Sequence, residues 1–273
     1  MTFIYKNMNT LINRIIFFIS LSIIILSTNS LSAQEQAPKM QCDTIATAEL
    51  HKKSAAVPYL TTDLTSAYLW RGQRLAGVSI QPVMGVKWKW LNFFFWGNTQ
   101  VVPPVEERPI KYEIDIFLKC QVTKNLNIAL KDVYTTTRGD GFFSWGEIGK
   151  ASHGVEAVVS YDWRYFTTEW STTLFGHDGL NKKEKRSYSS YLLVGVPFHI
   201  SHVKFNASLG VVPYYTSRYA DNSSGFHVNM VALKATYDIP LSQRYQLPVY
   251  SMIMVNPSNE QAYFQVGCKF KLF

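Results

Sequence analysis

Residues 109–122 read Pro-Ile-Lys-Tyr-Glu-Ile-Asp-Ile-Phe-Leu-Lys-Cys-Gln-Val. Ile110, Tyr112, Ile114, Ile116, Leu118, Cys120 and Val122 alternate with Lys111, Glu113, Asp115, Phe117, Lys119 and Gln121. That period of two places one set on each face of a β-strand. Alternation by itself does not say which face is inside, because a soluble β-sandwich or a lipocalin-like barrel alternates too. Charge decides between them. Turning the polar set toward lipid would cost up to ~2–4 kcal/mol for each lysine near the bilayer midplane, and less for the acids. The polar set is therefore expected to line a lumen and the apolar set to face hydrocarbon.

The same alternation returns along most of the chain, in segments of the roughly 9–11 residues that a tilted transmembrane strand needs. Twelve strands are predicted: 59–71, 79–90, 92–102, 109–122, 126–137, 152–161, 165–176, 187–198, 203–215, 225–237, 246–255 and 262–273. Connections after the even strands are mostly short, such as Thr123-Lys124-Asn125 and Asp162-Trp163-Arg164, while those after the odd strands are mostly longer and more polar or glycine-rich. Short periplasmic turns alternating with long external loops are what a membrane barrel shows. The expected fold is all-β: a transmembrane antiparallel up-and-down β-barrel of about twelve strands. Tyr68, Trp70, Trp88, Trp90, Tyr161 and Trp163 fall near strand ends, where an amphipathic ring suits the headgroup region.

Lys6 and Arg14, the apolar stretch Ile15 to Leu26 and Ser30-Leu31-Ser32-Ala33 have the plan of a secretory signal peptide. This divides the chain into a signal peptide over 1–33, a periplasmic leader over 34–57 and a barrel over 58–273. Charged residues make up 17% of the chain and aromatics 15%, a low charge content against the roughly 25% of soluble domains. The net charge of +8 becomes about +6 once Lys6 and Arg14 leave with the signal, a modest excess that favours anionic solutes or lipopolysaccharide phosphates. Nucleic acid is not an expected partner for an exported chain. Cys120 and Cys268 fall on apolar faces of separate strands and are expected as small lipid-facing hydrophobes, with neither a disulfide nor a metal site.

Asp63-Leu64-Thr65-Ser66-Ala67-Tyr68-Leu69-Trp70-Arg71-Gly72 resembles the Asp-x-Thr-Ser-x-Tyr-x-x-Arg-Gly opening of the TorF-type porin family. Gln81-Pro82 and Trp96-Gly97-Asn98 resemble the hairpin that follows it. The resemblance is firm over residues 63–98 and diffuse beyond. It implies an outer-membrane channel and names no solute. Phe273 ends the chain as an aromatic does in many barrels recognised by the assembly machinery, yet it shares parity with Lys269 and Lys271 and not with the apolar face of Phe264, Val266, Cys268, Phe270 and Leu272.

Pore-lining candidates are Asp63, Thr65, Arg71, Lys87, Asn98, Gln100, Lys111, Glu113, Asp115, Lys119, Lys131, Glu156, Glu169, Lys204 and Asn206. Both signs are present, so strong ion selectivity is not expected. Asp63 and Arg71 lie on one parity of the first strand, eight residues apart, and each needs a partner from another strand. The expected network joins them to Lys87, Lys111, Glu113 and Asp115; the plainer alternative is that Arg71-Gly72 begins the first outer loop. Twelve strands fall between small filled barrels and wide porins, so the lumen is either narrow or blocked by an inward loop.

Lys182, Lys183, Lys185 and Arg186 form a basic loop cluster that suits lipopolysaccharide phosphates, although a solvated loop explains such a run as well. His199-Ile200-Ser201 has the spacing of a hydrolase pair on one strand face, but it sits in a short turn beside His202 with no orienting acid nearby, and no enzyme is expected. No cofactor or metal spacing is found. The expectation is thus passive diffusion of small hydrophilic solutes across the bacterial outer membrane. The alternatives are a closed barrel with a structural or surface-binding role and, more remotely, a lipid hydrolase. The expected partners are outer-membrane lipids, lipopolysaccharide, the barrel assembly machinery and the solutes themselves; the oligomeric state is left open.

Overall fold

The computed structural model describes residues 55–101, 112–135, 142–145, 151–219 and 225–272. The expected signal segment, the leader up to residue 54, Lys111 and Phe273 lie outside the described residues. Twelve strands close into one barrel. They are β1 (Val57–Thr65), β4 (Ser79–Trp88), β5 (Leu91–Gln100), β6 (Tyr112–Gln121), β7 (Leu126–Thr135), β8 (His153–Asp162), β9 (Thr167–Gly176), β10 (Ser190–Ile200), β11 (Val203–Val212), β12 (His227–Pro240), β13 (Gln246–Asn256) and β14 (Gln261–Lys271). Each pairs antiparallel with its neighbours in sequence, and β14 closes on β1 with Asp63 opposite Lys269. The two short strands β2 (Tyr68–Trp70) and β3 (Gln73–Ala76) form a separate two-stranded sheet.

The wall has the polarity read from residues 109–122. In β6 Asp115 is buried inside the ring, while Tyr112, Ile114 and Leu118 are exposed outside it. Register carries that sidedness around the wall, because residues directly opposite each other in an antiparallel pair share a face. Asp115 lies opposite Val133 and Lys131 opposite Glu156, all facing in; Leu118 lies opposite Leu130, facing out. Exposed Ile80, Met84, Phe93, Val159, Leu209, Leu233 and Phe264 continue the outer apolar surface. A soluble protein rarely exposes such a continuous apolar band, whereas a barrel in lipid requires one. At the end where the short turns lie, Trp88, Trp90, Trp163 and Tyr165 stand exposed, in the manner of an interfacial girdle.

Leu130 gives this sidedness a quantitative test. Its side chain is 48% exposed on the outer wall. Leu130→Arg is expected to cost about 2–4 kcal/mol if this position lies near the midplane of a bilayer. Urea titration of protein folded into lipid vesicles measures it, with the inward Asn127→Arg as the control. A cost within the ~0.5 kcal/mol usual for water-facing sites would place this wall outside hydrocarbon.

The first predicted strand, 59–71, is the one whose course differs. β1 ends at Thr65, where the Thr65 hydroxyl donates to the Ala67 carbonyl (3.0 Å) and the chain turns into the barrel. Residues 68–76 then form the β2–β3 hairpin inside it, and the chain rejoins the wall at Ser79. Tyr68-Leu69-Trp70 breaks the alternation with three nonpolar residues in a row. Wall strand β5 carries such a run too, at Phe93-Phe94-Phe95-Trp96, so the run alone does not mark the departure; inside the barrel Tyr68, Leu69 and Trp70 each find a packing partner on the wall or on the loop that carries Tyr219.

Candidate functional site in the lumen

The hairpin turns at Arg71 (φ 44°) and Gly72 (φ 78°), the pair of positive φ values that a two-residue primed turn requires. Gly72 is dictated by space as well, since a Cβ there would fall 2.0 Å from the Asn229 carbonyl oxygen. Asn229 of β12 and Asn256 of β13 donate from Nδ2 to the Arg71 and Gly72 carbonyls at 2.8 and 3.0 Å. Gln265 of β14 donates likewise to the Ala67 carbonyl. Both asparagines are fully buried, and together the three amides satisfy a backbone that has no sheet neighbour on that side.

Apolar packing seats the hairpin. Leu69 rests on Met230, Ala232 and Met254, joined by Leu193, Met252 and Tyr263. Trp70 rests on Tyr191, Val212 and Tyr219. The lumen is thus polar over part of its wall and methionine- and tyrosine-rich over the rest, a feature that alternation in β6 does not foretell.

From this seat the chain reaches the opposite wall. The Arg71 guanidinium donates to Ser171 Oγ of β9 (2.7 Å) and the Tyr219 hydroxyl (2.9 Å), and it pairs with the Glu156 carboxylate of β8 (3.3 Å). Its plane lies over the rings of Trp70 (4.7 Å) and Tyr191 (4.9 Å). Glu156, with a side chain 1% exposed, also takes Arg218 at 2.6 Å. One buried carboxylate therefore holds two guanidinium groups from two different loops, the first between β1 and β4 and the second between β11 and β12. Nearby, Tyr68 donates to Glu113 (3.2 Å) and packs on Trp96, and Lys131 pairs with Asp115 at 2.8 Å. Burial pushes the Tyr219 phenol above its ordinary value against the pull of Arg71 and Arg218, so it remains an O–H.

The crossing hairpin separates two cavities. One, of about 370 Å³, lies toward the turn end and is bounded by Trp70, Arg71, Phe94, Phe117, Lys119 and Glu169 among others. The other, of about 200 Å³, lies toward the long-loop end among Tyr68, Gln73, Asn98, Glu113, His177 and Arg218.

Most of the predicted lining residues face inward in this arrangement. Thr65, Asn98, Gln100, Asp115, Lys131 and Glu156 are buried inside the ring, and Gln81 donates to Asn98 at 3.1 Å. Asp63, Lys87, Glu113, Lys119, Glu169 and Asn206 are half-buried on the same inner parity. Lys204 is exposed at the turn end and pairs with Asp238 at 2.6 Å. Lys111 lies outside the described residues.

The proposed network of Asp63 and Arg71 needs correction. Asp63 stands 4.0 Å from Lys269, its neighbour across the β1–β14 seam, and Arg71 takes Glu156. The reason is that Arg71 is no longer on β1. The inward turn at Thr65 carries it away from Lys87, Glu113 and Asp115 to the far wall. Arg218, Ser171, Tyr191 and Tyr219 complete its site. Their spacing along the chain carries no signal for this, since the site exists only once the barrel has closed.

The basic loop is split. Lys182, Lys183 and Lys185 are exposed, whereas Arg186 folds back, donating to the Gly176 carbonyl at 3.0 Å with Asp178 3.8 Å away. Asp178 is the organiser that sequence reasoning missed, accepting the Gly179, Tyr188 and Ser189 backbone N–H groups while buried. His199 is the last residue but one of β10 and Ser201 occupies the turn that follows, at φ 54°; no hydrogen bond joins them among the described residues. Cys120 and Cys268 are free thiols. No cluster of three or more His, Cys, Asp or Glu suited to a metal ion occurs among the described residues. Comparison of the chain with protein-family models and with curated proteins found no match to either.

Proposed function

We propose that the protein is an outer-membrane channel of narrow bore for small hydrophilic solutes, with the β2–β3 hairpin as its constriction. The observation that carries this reading is the pair of cavities stacked along the barrel on either side of the hairpin, both reached by ionisable wall residues. Water-facing charge inside and continuous apolar surface outside suit a bilayer whose lipids and lipopolysaccharide contact the wall, inserted by the barrel assembly machinery. The resemblance of residues 63–98 to TorF-type porins supports the same reading. In planar bilayers the purified protein is expected to give discrete conductance steps well below those of an open sixteen-stranded porin. No steps and no solute-driven swelling of proteoliposomes would remove it.

A specific observation favours a second reading, a closed barrel with a structural or surface-binding role. The hairpin is held by three wall amides, an ion pair and two apolar clusters. Barrels without conductance in the same experiment would establish this reading in place of the first.

A further inference from the structure

The larger cavity has a chemistry of its own. Phe94 and Phe117 stack face to face on one side, with centroids 4.4 Å apart and planes 7° from parallel. Trp70, Tyr191, Leu193 and Met230 form the other side. At about 370 Å³ the space is at the small end of small-molecule sites, which run from about 300 to 1,000 Å³ and combine apolar walls with a few convergent polar groups.

Most charge around this cavity is already compensated. Glu156 serves Arg71 and Arg218, and Asp115 serves Lys131. Two lining charges differ: Lys119 of β6 and Glu169 of β9 make no hydrogen bond or ion pair among the described residues, and Glu169 meets the charge of Arg71 through the field alone, without contact. They lie on separate wall strands and have opposite sign. A simple anion drawn to Lys119 would meet the Glu169 carboxylate, and a simple cation drawn to Glu169 would meet Lys119. A solute carrying both charges on one apolar body satisfies both.

We propose that this cavity binds a zwitterion of amino-acid size with an aromatic or branched apolar side group, its carboxylate toward Lys119 and its ammonium toward Glu169. The inference deepens the channel reading by naming its solute class, yet binding itself does not depend on conduction.

The test is calorimetric titration of the purified full chain in detergent micelles with L-phenylalanine, N-acetyl-L-phenylalanine and L-phenylalaninamide. The zwitterion is expected to bind, and each single-charge analogue at least about tenfold more weakly, as the loss of one charge-assisted hydrogen bond implies. Glu169→Gln should abolish the preference over the N-acetyl form alone, and Lys119→Met the preference over the amide alone. Each variant thus keeps one preference as its own internal control for folding. Equal binding of all three compounds, or binding of none, overturns the proposal. Binding by a protein that shows no conductance would retain the site and remove the channel; conductance without binding would do the reverse.

Discussion

Replacing Glu156 with alanine is expected to lower the unfolding free energy by about 3–5 kcal/mol, the usual cost of removing one partner from a buried ion pair. The effect should sit at the high end of that range because the carboxylate serves two cations. The Arg71 and Arg218 side chains are 11% and 7% exposed, and without Glu156 neither has another carboxylate within ion-pair distance among the described residues. The hydrogen bonds from Arg71 to Ser171 and Tyr219 satisfy its geometry but not its charge. Glu156→Gln keeps the shape and removes the charge, so it should retain part of the lost stability. Heat or urea unfolding in detergent measures both, and trypsin cutting after Arg71 reports whether the hairpin has come loose. Wild-type stability in both variants would mean that the two arginines do not depend on this carboxylate.

Substituting residues 68–76 with a short Gly/Ser linker is expected to raise single-channel conductance several-fold, because the two cavities then become one continuous path. The same change removes Leu69 and Trp70 from their apolar seats, at about 1.5–3 kcal/mol for each large side chain no longer buried. A wider but less stable barrel is therefore the expected combination. Conductance equal to the unaltered protein would show that the hairpin is not the constriction.

The barrel itself was legible because a wall with one apolar and one polar face imposes a simple rule on each strand in isolation. Ile114, Ile116 and Leu118 on one parity, with Glu113, Asp115 and Lys119 on the other, state their sidedness without reference to any other segment. Twelve such segments with alternating connection lengths then leave little freedom of topology. The lumen was legible only as a list. Asn98, Gln100, Asp115, Lys131 and Glu156 were assigned inward from parity, but which of them meet is decided by where the hairpin lands. Tyr68-Leu69-Trp70 does not by itself separate the hairpin from the wall, since wall strand β5 carries Phe93-Phe94-Phe95-Trp96, and the alternation that precedes it runs straight on to Arg71. Arg218 and Tyr219 gave no local sign. Their role follows from a loop 148 residues beyond Arg71 folding into the same space.

The three amides that hold the hairpin come from β12, β13 and β14, separated from their acceptors by 158, 184 and 198 residues. The β1–β14 seam is itself short, with five register pairs from Thr61↔Lys271 to Thr65↔Gly267 against nine between β1 and β4. Closing the ring and docking its contents therefore draw on the same late-synthesised segments, and the entropy of joining the chain's two ends is met once for both. The hairpin is in this sense a latch: it fastens from within the one join that the order of synthesis leaves until last.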